Sequence, residues 1–75
     1  QRFPDDEQIL LNLANTEAEA GKNESIIMSD ALLKRFSTRE MQADCYFIKG
    51  VYYSRVKQFD SAITNFDQAI LYRYT

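Results

Sequence analysis

Apolar residues recur at helical spacing through almost the whole chain, and only two or three residues separate one such stretch from the next. Spacings of three and four residues place these side chains on one face of a helix, and no segment shows the strict alternation of a half-buried strand. The sequence therefore predicts an all-α protein with four helices, over about residues 5–20, 23–36, 38–56 and 59–73. Connections this short make consecutive helices antiparallel neighbours.

Local signals mark the predicted helix ends. Ser37 and Glu40 have the spacing of a capping box, in which the hydroxyl and the carboxylate each accept a hydrogen bond from the other residue's amide. Phe36 and Met41 flank this box at the spacing of a hydrophobic staple. We therefore expect the third helix to begin with Ser37 as its cap. Gly21 is the expected stop of the first helix.

The start of the first helix carries acidic residues. Asp5 is the expected cap, and the run Asp5–Asp6–Glu7 suits the positive end of a helix dipole. A cation site built from these carboxylates is the less favoured interpretation.

The charge is unevenly distributed, although the formal net charge is only −2. Residues 1–24 contain six acids and two bases, and residues 25–75 contain five acids and seven bases. The bases are scattered, whereas phosphate neutralisation requires a cluster, so we expect no nucleic-acid partner. No apolar run reaches the roughly 18 residues of a membrane helix, and no signal-peptide pattern opens the chain. We therefore expect no membrane partner.

The residues needed for common catalytic and metal sites are scarce. The chain has one cysteine, Cys45, and no histidine, so an internal disulfide and the usual zinc sites are excluded. A nucleophilic role for Cys45 lacks a histidine base, which favours a structural role. Glu17 and Glu19 do not share a helix face, so paired acid–base work is not expected. We predict no enzymatic activity, cofactor or metal, and a cytoplasmic location, with the periplasm as the alternative.

One stretch of the third and fourth helices matches a known repeat. Its aromatic and small residues follow the tetratricopeptide (TPR) pattern of an aromatic, a glycine, a tyrosine, an alanine, a phenylalanine and an alanine, here Tyr46, Gly50, Tyr53, Ala62, Phe66 and Ala69. Residues 43–72 therefore resemble a TPR motif. The physical expectation is that two antiparallel helices approach closely at Gly50 and Ala62, with aromatic rings filling the space on either side. Lys49 departs from the pattern, which has leucine there.

Residues 7–36 resemble the same motif in degenerate form. They keep a small residue at Ala14 and the turn glycine Gly21, but Glu17 replaces the aromatic. Leu10 precedes Tyr46 by 36 residues, close to the TPR period of about 34. The resemblance implies two helical hairpins stacked as a fragment of a right-handed TPR-like solenoid, within one domain over residues 1–75.

The resemblance also implies a non-catalytic protein-interaction module, either a scaffold or the sensor part of a larger protein. A mostly apolar concave groove would bind a peptide or partner helix, with Leu11, Asn15, Ala18, Phe47, Val51, Ser54 and Arg55 as its lining. A second candidate is a terminal docking face for another repeat, another copy or another protein, formed by Ile70, Leu71, Tyr72 and Tyr74. The alternative is a purely structural segment of a longer helical array, with no binding site of its own.

Overall fold

The computed structural model describes residues 6–74 of the protein. It contains four helices, α1 (Asp6–Glu19), α2 (Glu24–Arg35), α3 (Arg39–Arg55) and α4 (Phe59–Tyr74). No strand occurs in the described range. The predicted all-α class and the four helices are therefore confirmed. The expected cap at Asp5 lies outside the described residues.

The helices pack as a group of three with a fourth helix on one side. Helices α1, α2 and α3 all contact one another, whereas α4 contacts α3 and no other helix within residues 6–74. In a closed four-helix bundle α4 would also pack against α1, so the arrangement is open. The main core lies where α3 meets α1 and α2, and its buried residues are Leu11, Ala14, Ala18, Leu32, Met41, Cys45 and Ile48.

Small side chains are buried on both helices of the first hairpin. Ala14 and Ala18 on α1, and Ser25 and Ser29 on α2, are completely inaccessible to solvent. The Ser25 hydroxyl donates to the carbonyl of Lys22 at 2.9 Å, but the Ser29 hydroxyl makes no hydrogen bond to any described residue. An unpaired buried hydroxyl costs stability, so Ser29 is a local weak point of this interface.

Both hairpin turns end their first helix in the same way. After α1, the amide of Gly21 donates to Ala18 and that of Lys22 to Glu17. After α3, the amides of Lys57 and of the next residue make the same two hydrogen bonds, to the carbonyls three and five positions earlier. Both patterns are Schellman motifs, whose central residue has a left-handed backbone. Gly21 has φ 72° and Lys57 has φ 66°, and only the glycine adopts this conformation without steric cost.

Exchanging the residue types at these two turns is expected to have opposite effects. Gly21→Ala should lower the free energy of unfolding by about 1 kcal/mol, and Lys57→Gly should raise it by a similar amount, because a Cβ is unfavourable at positive φ. Urea denaturation followed by circular dichroism measures both changes. Lys57→Ala is the control: it removes the lysine side chain but keeps the Cβ. A gain in Lys57→Ala equal to that in Lys57→Gly would contradict the backbone explanation.

The start of α3 differs from the prediction. Thr38, not Ser37, is the N-cap, and its hydroxyl accepts a hydrogen bond from the amide of Met41 at 3.2 Å. With Thr38 as the N-cap, the third residue of the helix is Met41, whereas a capping box requires Glu or Gln there. The predicted capping box of Ser37 and Glu40 is therefore absent, and that prediction was wrong. Both hydroxyl residues suit a cap by type. The choice falls on Thr38 because Phe36 takes an extended backbone and packs against the main core, which lengthens the link by one residue.

Gly50 lies directly beneath the ring of Phe66. A Cβ built at Gly50 would lie 2.6 Å from two ring carbons of Phe66, closer than real Cβ contacts allow. The close approach of α3 and α4 predicted at Gly50 is present, but the ring covers the glycine itself and does not fill space at its side. Ala62 and Ala69 are the buried residues of α4, and Phe66 is half-buried.

Candidate protein-interaction surfaces

The apolar residues of α4 divide between two faces of the helix. Ala62 and Ala69 are buried against α3, whereas Ile63 and Ile70 are each 57% exposed. Sequence periodicity assigns all four residues to one broad buried face. The structure divides them because consecutive residues of a helix are about 100° apart, so that Ala62 and Ala69 face α3 while Ile63 and Ile70 lie beside the contact.

An open apolar groove runs between α3 and α4, and we call it the α3/α4 groove. Its volume is about 420 Å³, and its lining residues are Phe47, Phe66, Ala69, Ile70, Arg73 and Tyr74. Phe47, Ile70 and Tyr74 are 48%, 57% and 79% exposed. Exposed apolar side chains that adjoin one another are typical of surfaces that bind another protein. Phe66 was expected only as a buried filler and is an additional member of this surface.

Aromatic contacts hold the walls of the α3/α4 groove in place. The ring of Phe66 packs at a tilt against Phe47, with centroids 5.5 Å apart. Tyr46 and Tyr72 stack almost parallel at 5.6 Å, which joins α3 to α4 beside the groove. Tyr72 is therefore half-buried between these helices, and its expected place on the docking face was wrong. Ile70 and Tyr74 remain available on that face.

Leu71 also belongs to the predicted docking face. It is 51% exposed but does not line the α3/α4 groove. On a helical wheel it lies about 100° from Ile70, which turns it towards the polar side of α4.

The predicted concave groove corresponds in part to a shallow cleft between α1 and α3. Leu11, Asn15 and Phe47 line this cleft together. The remaining lining residues are mostly polar, namely Gln8, Asn12, Asp44 and Ile48. The lining of this cleft is thus mixed, because some apolar residues of α1 that face α3 are used in the core.

Several residues predicted to line the groove are buried, partly buried or distant from the cleft. Leu11 and Ala18 are buried in the main core, and Val51 packs against it. Ser54 is half-buried and donates to the carbonyl of Val51 at 2.8 Å. Arg55 is exposed near the Gly21 turn, away from the cleft. The structure therefore does not bring Ala18, Val51, Ser54 and Arg55 into one binding surface with Phe47.

Lys49, the departure from the TPR pattern, is accommodated by a partner on α2. Its ammonium lies 2.9 Å from a carboxylate oxygen of Asp30 and 5.7 Å from the ring centroid of Tyr46. The lysine side chain is mostly buried, whereas that of Asp30 is half exposed. The hydrocarbon stem therefore packs between the helices while the charge reaches the edge.

A polar recess of about 280 Å³ lies between the start of α3 and the end of α4. Arg39, Glu40, Asp44 and Arg73 contribute its charges. Arg73 donates to Asp44 at 3.3 Å, and the guanidinium of Arg39 lies 5.9 Å from the ring centroid of Tyr72. Two cations and two anions balance in this recess, so it offers no net charge to attract an ion.

Cys45 is buried, and its surroundings keep the thiol protonated. Its thiol is fully buried and donates to the sulfur of Met41 at 3.6 Å. Burial, reinforced by the negative charge of Asp44, raises the pKa of the thiol from 9.0 to about 12. Since the thiolate is the nucleophile, this environment opposes catalysis and supports a structural role.

The raised pKa of Cys45 predicts a stability loss at high pH. The unfolded thiol loses its proton near pH 9, whereas the folded thiol keeps it up to about pH 12, so stability falls as pH rises between these values. The parent should therefore lose more stability than Cys45→Ala between pH 9 and pH 11 in urea titrations. Equal slopes in the two proteins would contradict the burial argument. Alkylation of the native thiol by iodoacetamide at pH 8 should be slow and should accelerate in urea.

Neither a metal-ligand cluster nor a membrane-spanning segment is found among the described residues. No group of three or more acidic or cysteine side chains comes together there in a way that could hold a metal ion. No helix of residues 6–74 is both long and apolar enough to cross a bilayer.

Comparison of the chain with protein-family models, with curated proteins and with solved structures finds no match. The resemblance to the TPR family consequently rests on the residues quoted above, and no family is assigned.

Proposed function

We propose that this chain is a non-catalytic protein-interaction module whose α3/α4 groove binds an amphipathic helix or an apolar peptide segment. The observation that carries the proposal is the exposure of Phe47, Ile70 and Tyr74 along one continuous groove. Complete burial of a large apolar side chain contributes about 1.5–3 kcal/mol, and a partner that covers the exposed part of these residues gains a share of that free energy. Helix-in-groove recognition uses this kind of surface.

The non-catalytic part of the proposal is supported by the chemistry of the described residues. Cys45, the only thiol, has its pKa raised to about 12 and is fully buried. The most strongly charged recess is internally balanced by two arginines and two carboxylates.

We further propose that the hairpins α1–α2 and α3–α4 stack as a TPR-like right-handed solenoid fragment. Two observations support this arrangement: α3 packs against both helices of the first hairpin, and α4 packs against α3 alone within the described range. A third is that the left-handed turn residues Gly21 and Lys57 are 36 residues apart. A solenoid repeat contacts only its neighbours and leaves an open face at each end.

A peptide-binding experiment tests the interaction function. The probe is a fluorescent amphipathic helical peptide of leucine and lysine, and its control has the same composition in an order that gives no apolar helix face. We expect the amphipathic peptide to bind with a clear preference and to lose most of its affinity for Ile70→Glu. Fluorescence anisotropy measures the binding, and circular dichroism verifies that the variant remains helical.

The controls separate groove binding from attraction between opposite charges. Thr64→Glu adds the same charge to an exposed position of α4 that lies about 120° round the helix from Ile70 and outside the groove lining, and it should leave peptide binding unchanged. Equal binding of the two peptides, or equal binding by the parent and Ile70→Glu, would count against the proposal. Either result would favour the alternative, a structural array segment with no binding site of its own.

A further inference from the structure

The two hairpins share a register that the turns define. Gly21 and Lys57 are the left-handed residues of two Schellman motifs with the same hydrogen bonds. Aligning the two hairpins at these turns pairs each position of α1 with the position of α3 that lies 36 residues later. Leu11 then corresponds to Phe47.

The same register identifies the face of α1 that corresponds to the packed face of α3. Within the chain, α3 sits against α1 and α2 through Cys45, which is buried, and Lys49, which pairs with Asp30. The positions of α1 that correspond to these two residues are Ile9 and Leu13. Both are large and apolar, yet they are 59% and 46% exposed.

The surface that receives α3 also has an uncovered counterpart. Leu11 is buried in the core where α3 packs, whereas its equivalent, Phe47, is 48% exposed. Phe47 lines the α3/α4 groove, which is open to solvent. The chain thus has two uncovered surfaces that correspond to the two sides of its internal interface. One is the face of α1 with Ile9 and Leu13, which we call the donor face, and the other is the α3/α4 groove, the receiving groove.

We propose that the partner bound by the α3/α4 groove is a second copy of this chain. Helix α1 of one copy packs into the α3/α4 groove of the next, and Ile9 and Leu13 cover Phe47, Ile70 and Tyr74. The contact repeats between chains the interface that α3 makes with α1 and α2 within the chain. This inference rests on the proposed function, since it assigns an occupant to the same groove.

Charge favours this head-to-tail orientation. Helix α1 carries four acids and no base, and Arg73 is the one charged residue among those that line the α3/α4 groove. Association through α1 therefore places an acidic helix beside this arginine. A contact between two different surfaces does not close on itself in a dimer, so the chain should form open oligomers that grow with concentration.

Sedimentation velocity of two variants and their mixture tests the proposal. Leu13→Glu disables the donor face, and Ile70→Glu disables the receiving groove. The parent should form oligomers of increasing size from micromolar to millimolar concentration, whereas each variant alone should stay monomeric. An equimolar mixture should give a heterodimer and nothing larger, because each variant retains the surface that the other has lost.

Ile27→Glu is the matched control. Ile27 is 62% exposed and lies on α2, whose equivalent, α4, contacts neither α1 nor α2. This variant should therefore oligomerise like the parent. Circular dichroism should show the same helix content for all three variants.

Different results identify different failures. A monomeric parent at all concentrations overturns the inference, and if the leucine–lysine peptide still binds, the proposed function survives without it. Dimers of Leu13→Glu alone, with no heterodimer in the mixture, would show a symmetric contact and would also overturn the inference. Loss of oligomers in Ile27→Glu would be inconsistent with α1 as the docking helix.

Discussion

Gly50→Ala is expected to lower the free energy of unfolding by about 2 kcal/mol, because the added methyl group overpacks the contact with Phe66. The new Cβ would meet ring carbons at 2.6 Å, so the ring must rotate or the helices must separate. Helix propensity alone predicts the opposite sign, since alanine is favoured over glycine by about 1 kcal/mol inside a helix. Thermal or urea unfolding monitored by circular dichroism decides between the two.

A double-mutant cycle isolates the steric term. In the background of Phe66→Ala, where the ring is absent, Gly50→Ala should be neutral or stabilising because only the propensity gain remains. A similar loss of stability in both backgrounds would locate the cost elsewhere than in the Gly50–Phe66 contact.

Met41→Ala should lower the free energy of unfolding by about 3 kcal/mol, as expected when a large core side chain is truncated. Met41 is 2% exposed and contacts the thiol of Cys45 inside the main core. A chain of 75 residues has a total stability of about 4–11 kcal/mol, so this loss removes a large part of it. Urea denaturation gives the change directly.

The matched control for Met41→Ala is Ile63→Ala. Ile63 is also a large apolar residue of a helix, but it is 57% exposed and therefore leaves little cavity when truncated. Its change should stay within about 0.5 kcal/mol of the parent. Similar losses in the two variants would contradict the assignment of the core to the junction of α1, α2 and α3.

The exposure of the residues predicted for the two candidate surfaces could be predicted only in part. Ile70 and Tyr74 were expected at an open terminal face, and the structure exposes both. Leu11 and Ala18 were expected in a groove and lie in the core, because periodicity marks a face as apolar without showing whether a third helix covers it. Tyr72 was misplaced for a related reason, since its stacking partner Tyr46 lies 26 residues away in the sequence.

The number of helices and the turn glycine were determined by the sequence alone, because helical periodicity and left-handed backbone preference are local properties. Tertiary structure decided which hydroxyl caps α3, which face of α4 is buried and that Phe66 covers Gly50. Each of these depends on how close two helices approach, and that distance is set by all the side chains between them. The open groove follows from the same cause: α4 turns Ala62 and Ala69 towards α3, so Ile70 and Tyr74 lie exposed beside the contact.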